Sequence, residues 1–198
     1  MIKNIVFDIG KVLVYFEPEK VMDELGFSAE AKETIIKELF EKPLWEEGDR
    51  GALSIAETLQ MYIEGAPQYE AEIRSLYENV DRTITMMPHT IPWMKELKER
   101  GYKLYIISNY AENTFYKTEE KLEFLQYVDG DIFSYRYKLL KPEPAIYNLL
   151  LDTYGLKAQE SVFIDDRDSN VEGAIAVGFK GIQFHTYEQA KKELEDML

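Results

Sequence analysis

Five short apolar runs, at residues 4–7, 103–107, 131–133, 161–164 and 180–184, constrain most strongly what this chain can fold into. Each is rich in Ile, Val, Phe or Tyr and is bounded by glycine or polar residues, the pattern of strands covered on both faces. Helical periodicity separates the later runs. Ile91, Met94 and Leu97 share one face of a helix that Pro88 can open and Gly101 can close. Ile146, Leu149, Leu150 and Tyr154 repeat the pattern ahead of Gly155, and Val171, Ala174 and Ile175 do so ahead of Gly178. A last stripe, Tyr187, Ala190, Leu194 and Met197, follows Thr186 and Gln189, which are spaced to form a capping box. Strands alternating with helices predict an α/β fold, a parallel sheet between two helical layers.

The segment before Pro88 reads differently. It offers no strand-like run but several helical stripes: Ile35, Ile36, Leu39 and Phe40; Ile55, Leu59, Tyr62 and Ile63; and Tyr69, Ile73, Leu76, Tyr77, Val80 and Ile84. Four short amphipathic helices predict a small bundle. The expected organisation is an α/β core from residues 1–14 and 88–198, with a helical insert at 15–87. A length of 198 residues is enough for one core plus such an accessory unit.

Charge narrows the partners. With 37 acidic against 23 basic residues the net charge is −14, which repels nucleic acid and anionic membrane. A phosphate ligand would therefore have to be drawn in by a local cation. The chain has no cysteine, so disulfides, thiolate metal sites and Cys nucleophiles are excluded. No stretch approaches a membrane span and the apolar start is too short for a signal peptide, so a cytoplasmic protein is expected.

Three of the apolar runs end in polar side chains. The first leads into Asp8-Ile9-Gly10, the second into Ser108-Asn109, and the fourth into Asp165-Asp166. Ligands of doubly wound sheets sit beyond the carboxyl ends of the strands, so a parallel sheet would gather Asp8, Ser108, Asp165 and Asp166 at one edge. Clustered carboxylates must protonate or share a cation. An all-oxygen set without His or Cys suits Mg2+ better than zinc. Lys141, in Leu140-Lys141-Pro142-Glu143-Pro144, adds the positive charge that a phosphate would need.

In this order the residues resemble the four motifs of the haloacid dehalogenase (HAD) superfamily: Ile5-Val6-Phe7-Asp8-Ile9-Gly10, then Tyr105-Ile106-Ile107-Ser108-Asn109, then Lys141, then Val162-Phe163-Ile164-Asp165-Asp166 with Asn170 beyond. The resemblance implies a HAD-like Rossmannoid core and places residues 15–87 where the family carries its first-type helical cap. It further implies that Asp8 attacks phosphorus to form an aspartyl phosphate and that Mg2+ is held by Asp8, Asp166 and the Gly10 carbonyl, with Asp165 beside it through water. Ser108, Asn109 and Lys141 would bind the phosphoryl oxygens, and Asn170 would support the network.

One position departs from the pattern. Most phosphatases of this family carry a second aspartate two residues after the nucleophile, as general acid and base. Gly10 occupies that place and cannot move a proton, an assistance typically worth about a hundred- to ten-thousandfold. Leaving-group quality is therefore expected to govern the rate. The stretch Phe7-Asp8-Ile9-Gly10-Lys11-Val12-Leu13-Val14 is similar to bacterial glucose-1-phosphate phosphatases and to the phosphatase domain of soluble epoxide hydrolases. That subgroup tolerates the glycine and implies a small phosphorylated metabolite, such as a hexose 1-phosphate, as substrate. Two other outcomes remain open: a binding protein with a retired site, and a dehalogenase that needs no metal.

Residues 44–51 are expected to form a loop between two helices of the insert. There Trp45 either stacks on a sugar or packs in the core, and Arg50 either meets a substrate hydroxyl or second phosphate or forms a surface ion pair. Tyr15 and Phe16, at the hinge, are candidates to wall the pocket. His89 and His185 are assigned to structure, and Asp168 to a solvated loop.

Overall fold

A computed structural model describes residues 1–41 and 43–198. Among the described residues there are seven strands: β1 Asn4–Phe7, β2 Val14–Phe16, β3 Ile84–Met86, β4 Lys103–Ser108, β5 Gly130–Phe133, β6 Ser161–Asp165 and β7 Lys180–Gln183. The helices are α1 Pro18–Glu24, α2 Ala29–Ile35, α3 Pro43–Arg50, α4 Ile55–Gly65, α5 Glu70–Glu78, α6 Thr90–Glu99, α7 Glu112–Thr118, α8 Ser134–Tyr137, α9 Pro144–Tyr154, α10 Asp168–Val177 and α11 Tyr187–Met197. A π-helical turn, Ile36–Phe40, extends α2.

Five strands form one parallel sheet in the order β5-β4-β1-β6-β7. The five sequence runs predict these strands to within a residue or so at each end. Alternation sorts their side chains between two cores. Ile5 and Phe7, Leu104 and Ile106, and Val162 and Ile164 pack beneath Trp93, Met94 and Leu97 of α6 and Ala190 and Leu194 of α11. Val6, Tyr105, Ile107 and Phe163 face Ile146, Tyr147 and Leu150 of α9 and Ala174 of α10. Both faces of the sheet are thus covered, which explains why its strands read as continuous apolar runs. Gly155 and Gly178 close α9 and α10 in the left-handed conformation, and the Thr186–Gln189 capping box is formed.

The helices between β2 and β3 enclose a third core of Val21, Met22, Ile35, Leu39, Tyr62, Ile63, Ile73 and Leu76. Here the structure corrects three readings. Residues 14–16 and 84–86 are strands, paired antiparallel with Val14 opposite Met86 and Phe16 opposite Ile84. Three residues are too few for period 2 to show, and Ile84 extends a helical stripe by coincidence of spacing. Residues 44–51 are not a loop, because 43–50 form α3. Gly48 and the surrounding charges look loop-like, but the glycine serves packing: a Cβ there would lie 1.8 Å from the Tyr62 hydroxyl. Finally Ile55 and Ile175, read as core, are 37% and 51% exposed, so those stripes are narrower than the spacing suggests.

Candidate active site

Chain order reverses across β1: β4 and β5 lie on one side of it, β6 and β7 on the other. Such reversals open a crevice at the carboxyl ends of the strands. Asp8 leaves β1 there, its N–H bonded to the Ile164 carbonyl at 2.9 Å. Ser108 ends β4 and Asp165 ends β6, so the three neighbouring strands deliver their last polar side chains to one place. Above them a cleft of about 180 Å³ is lined by Asp8, Gly10, Ser108, Lys141, Asp166 and Asn170, together with residues from the helices between β2 and β3.

Lys141 is the centre of the electrostatics. Its side chain is 1% exposed, and Nζ sits 2.7 Å from Asp8 Oδ1 and 2.6 Å from Asp165 Oδ2. Burial works against its charge, but Asp165 and Asp8 together raise its pKa above the ordinary lysine value. Burial has the opposite effect on the acids. It lifts Asp8 to about 7 despite Lys141, with Asp165 and Asp166 adding repulsion, and it raises Asp166, again with Asp165 contributing. Carboxylate oxygens of Asp8, Asp165 and Asp166 lie within 4.8 Å of one another. One buried ammonium cannot neutralise three such groups, so the cluster calls for a further cation.

The donors available fit a hard divalent ion. Among the described residues, no hydrogen bond or ion pair occupies the Asp166 carboxylate, and none reaches the Gly10 carbonyl. Asp165 differs. Its oxygens accept from Lys141 Nζ, the Arg167 N–H at 2.9 Å and Asn170 Nδ2 at 3.0 and 3.1 Å. Asp165 is therefore filled by protein donors, whereas among the described residues Asp8 Oδ2, the Asp166 carboxylate and the Gly10 carbonyl accept no hydrogen bond. Among the described residues nothing partners the buried Asn170 Oδ1.

Other expected residues divide. The Asn109 amide is committed to the Lys141 backbone, accepting from its N–H at 2.8 Å and donating to its carbonyl at 3.1 Å. Asn109 lines the cleft, and its side chain holds the lysine in place. Phe16 and Trp45 line the cleft, and Trp45 also stacks on Phe40 and Tyr62, with centroids 4.4 and 5.6 Å apart. Tyr15 does not line it: strand alternation turns Val14 and Phe16 inward and leaves Tyr15 44% exposed. Arg50 is absent from the wall as well, because its guanidinium is engaged by Glu143 at 2.8 Å and Glu47 at 3.4 Å. His89 is structural, bonded to the Val12 carbonyl and stacked on Tyr187. Asp168 is the first residue of α10, where a carboxylate suits the helix dipole.

Sequence reasoning missed Asp49, Arg167 and Tyr110, which all line the cleft. Asp49 had a legible signal. In a helical reading of residues 43–50 it lies one turn after Trp45 on the same face, an acid on an apolar stripe.

Known proteins resemble this chain in sequence and in fold. A bifunctional epoxide hydrolase 2 from Mus musculus is 36% identical over 103 residues, half of this chain, and the match spans 19% of that protein's length. A D-ribitol-5-phosphate phosphatase from Bacteroides thetaiotaomicron is 25% identical over 100% of this chain and 99% of its own. The crystal structure of a HAD family enzyme from the same organism superposes with a TM-score of 0.76 at 20% identity, covering 98% of each chain. That enzyme has also been solved with magnesium and inorganic phosphate, with a TM-score of 0.74 to this chain. A sequence profile of the haloacid dehalogenase-like hydrolases matches residues 2–178. The chain therefore belongs to the haloacid dehalogenase-like hydrolase family.

Proposed function

We propose that the chain is a magnesium-dependent phosphatase acting on a small phosphorylated metabolite in the cytoplasm. The observation that carries this reading is the buried Asp8–Lys141–Asp165 arrangement opening onto a cleft beside the unpaired Asp166. Asp8 is the nucleophile. Lys141 steadies its carboxylate and, with the Ser108 hydroxyl, holds phosphoryl oxygens; among the described residues no hydrogen bond occupies that hydroxyl. Asn109 fixes the Lys141 backbone, while Asp165, itself held by Asn170, fixes its ammonium group. Asp8, Asp166 and the Gly10 carbonyl would hold Mg2+, with Asp165 behind them through water. When bound, the cation offsets the repulsion between an anionic nucleophile and an anionic phosphate.

Hexose 1-phosphate is the substrate to test first. Trp45 and Phe16 give the cleft an aromatic lining of the kind sugar C–H groups pack against, and an anomeric phosphate is a comparatively good leaving group. The test is a panel of phosphate esters assayed with Mg2+ and with chelator. Aryl and sugar phosphates are expected to turn over with Mg2+ and to lose roughly a hundredfold or more in chelator, the scale of several kcal/mol of charge stabilisation. Halide release from haloacids without metal would favour a dehalogenase. Binding of esters without turnover would favour a retired site.

A further inference from the structure

Gly10 leaves the cleft without the usual proton donor, and the cleft lining holds a further acid outside the carboxylate cluster. We propose that Asp49, in the last turn of α3, is the general acid and base of this site. The inference rests on the phosphatase reading above.

Three observations converge on Asp49. It lines the same cleft as Asp8, Gly10, Ser108 and Lys141, although it is only 7% exposed. It stands outside the group of three carboxylates gathered within 4.8 Å, so it is not one of the acids that would share the cation. It also has no ion-pair partner among the described residues, and the Ala111 backbone N–H favours its charged form by less than burial disfavours it. Burial, seconded by Glu46 and Asp8, pushes its pKa up to about 8, against the smaller opposing pull of Lys141 and that N–H. Burial, seconded by Asp49, raises the pKa of the Tyr62 phenol, whose hydroxyl is buried without a partner among the described residues; the Tyr110 hydroxyl is engaged by Thr118 Oγ1 at 2.8 Å. An Asp neutral near pH 7 can donate a proton, as a general acid must.

The end of α3 is also held firmly on the α/β core, which a proton donor borne by the inserted helices requires. Ser134 Oγ donates to the Asp49 carbonyl at 2.6 Å, and Lys138 Nζ donates to the Gly51 carbonyl at 2.7 Å. Arg50 pairs with Glu143, two residues from Lys141. Gly51, at φ +68°, lets the chain turn so close that a Cβ would lie 2.6 Å from Tyr135 Cα. The Arg50 ion pair and the Gly51 turn thereby acquire a purpose that a substrate-binding reading of this segment does not give them.

The chemistry balances. An Asp8 oxygen bonds to phosphorus as the ester P–O bond breaks, and the Asp49 proton passes to the departing oxygen, releasing the alcohol. The Asp49 carboxylate then takes a proton from water as that water bonds to phosphorus and the Asp8–phosphorus bond breaks. Phosphate leaves with Asp8 ionised and Asp49 protonated, as at the start.

The test compares p-nitrophenyl phosphate with phenyl phosphate, which differ little in shape but greatly in leaving group, using wild type, Asp49→Asn and Asp8→Asn. Asn fills nearly the same volume and carries no charge to bury, so the fold is expected to persist. Asp49→Asn is expected to slow phenyl phosphate about a hundred- to ten-thousandfold and p-nitrophenyl phosphate by less than about tenfold. The fall in rate above pH 8 in wild type should vanish with it. Adding Gly10→Asp should restore phenyl phosphate turnover at least tenfold, since nothing lies within 4 Å of the new Cβ. Equal losses on both esters, or none on phenyl phosphate, would overturn the role of Asp49 while leaving the phosphatase reading intact. No wild-type hydrolysis of either ester, or full activity in Asp8→Asn, would instead remove the phosphatase reading and this role with it.

Discussion

Asp8→Asn is expected to abolish ester hydrolysis, lowering the rate by more than about ten-thousandfold, the scale on which removing a nucleophile acts. The loss should be chemical and not structural. Asn fills the same volume and keeps an oxygen for Lys141 Nζ, 2.7 Å away. Burial already disfavours the charged form of Asp8, whose pKa stands near 7, so a neutral side chain relieves repulsion from Asp165 and Asp166. Thermal unfolding should shift by no more than a few degrees. A variant that unfolds far below wild type, or one that still turns over, would contradict the assignment of Asp8 as an attacking group.

Lys141→Met should do the opposite, damaging the fold as well as the activity. The ammonium is buried between two carboxylates, and removing it leaves both without their counter-charge. Breaking a buried pair from one side typically costs about 3–5 kcal/mol. For a chain of this size each kcal/mol is worth roughly 2–4 °C, so the melting temperature should fall by roughly 6–20 °C at pH 8. The sign of its pH dependence follows from Asp8. Its folded pKa lies above the ordinary value, so its neutral form is the one the interior tolerates. As pH falls from 8 to 5 Asp8 takes up a proton, one uncompensated charge disappears, and the deficit of the variant should shrink. A deficit that stays constant across this range would point to lost packing against Phe163, whose ring lies 5.4 Å from Nζ.

Much of the fold was legible because a doubly covered sheet leaves an unambiguous mark. Runs such as Val162-Phe163-Ile164 face two cores at once and tolerate no polar residue until the strand ends. The polar residues at those ends, Asp8, Ser108 and Asp165, then stand out against apolar neighbours. The β2–β3 pair was not legible, since three-residue strands bury only alternate side chains and share spacings with helices. The α3 helix was hidden by Gly48, present for the Tyr62 contact and not for chain flexibility. Asp49 followed from that same misreading. Treated as part of a charged loop it was one acid among many, and only the helix places it on a buried face. Arg50 shows the converse. Its charge is plain in the sequence, but the partner that occupies it, Glu143, lies 93 positions away and reaches it only through the fold.

The most direct measurement of the central claim is to trap the phosphorylated enzyme. Wild type would be mixed with Mg2+ and an aryl phosphate labelled at phosphorus, quenched in acid within one turnover, and its peptides mapped. The account predicts label on the peptide bearing Asp8, present with Mg2+, lost in chelator and absent from Asp8→Asn. Label on any other side chain, or equal labelling in the Asp8→Asn variant, would contradict it.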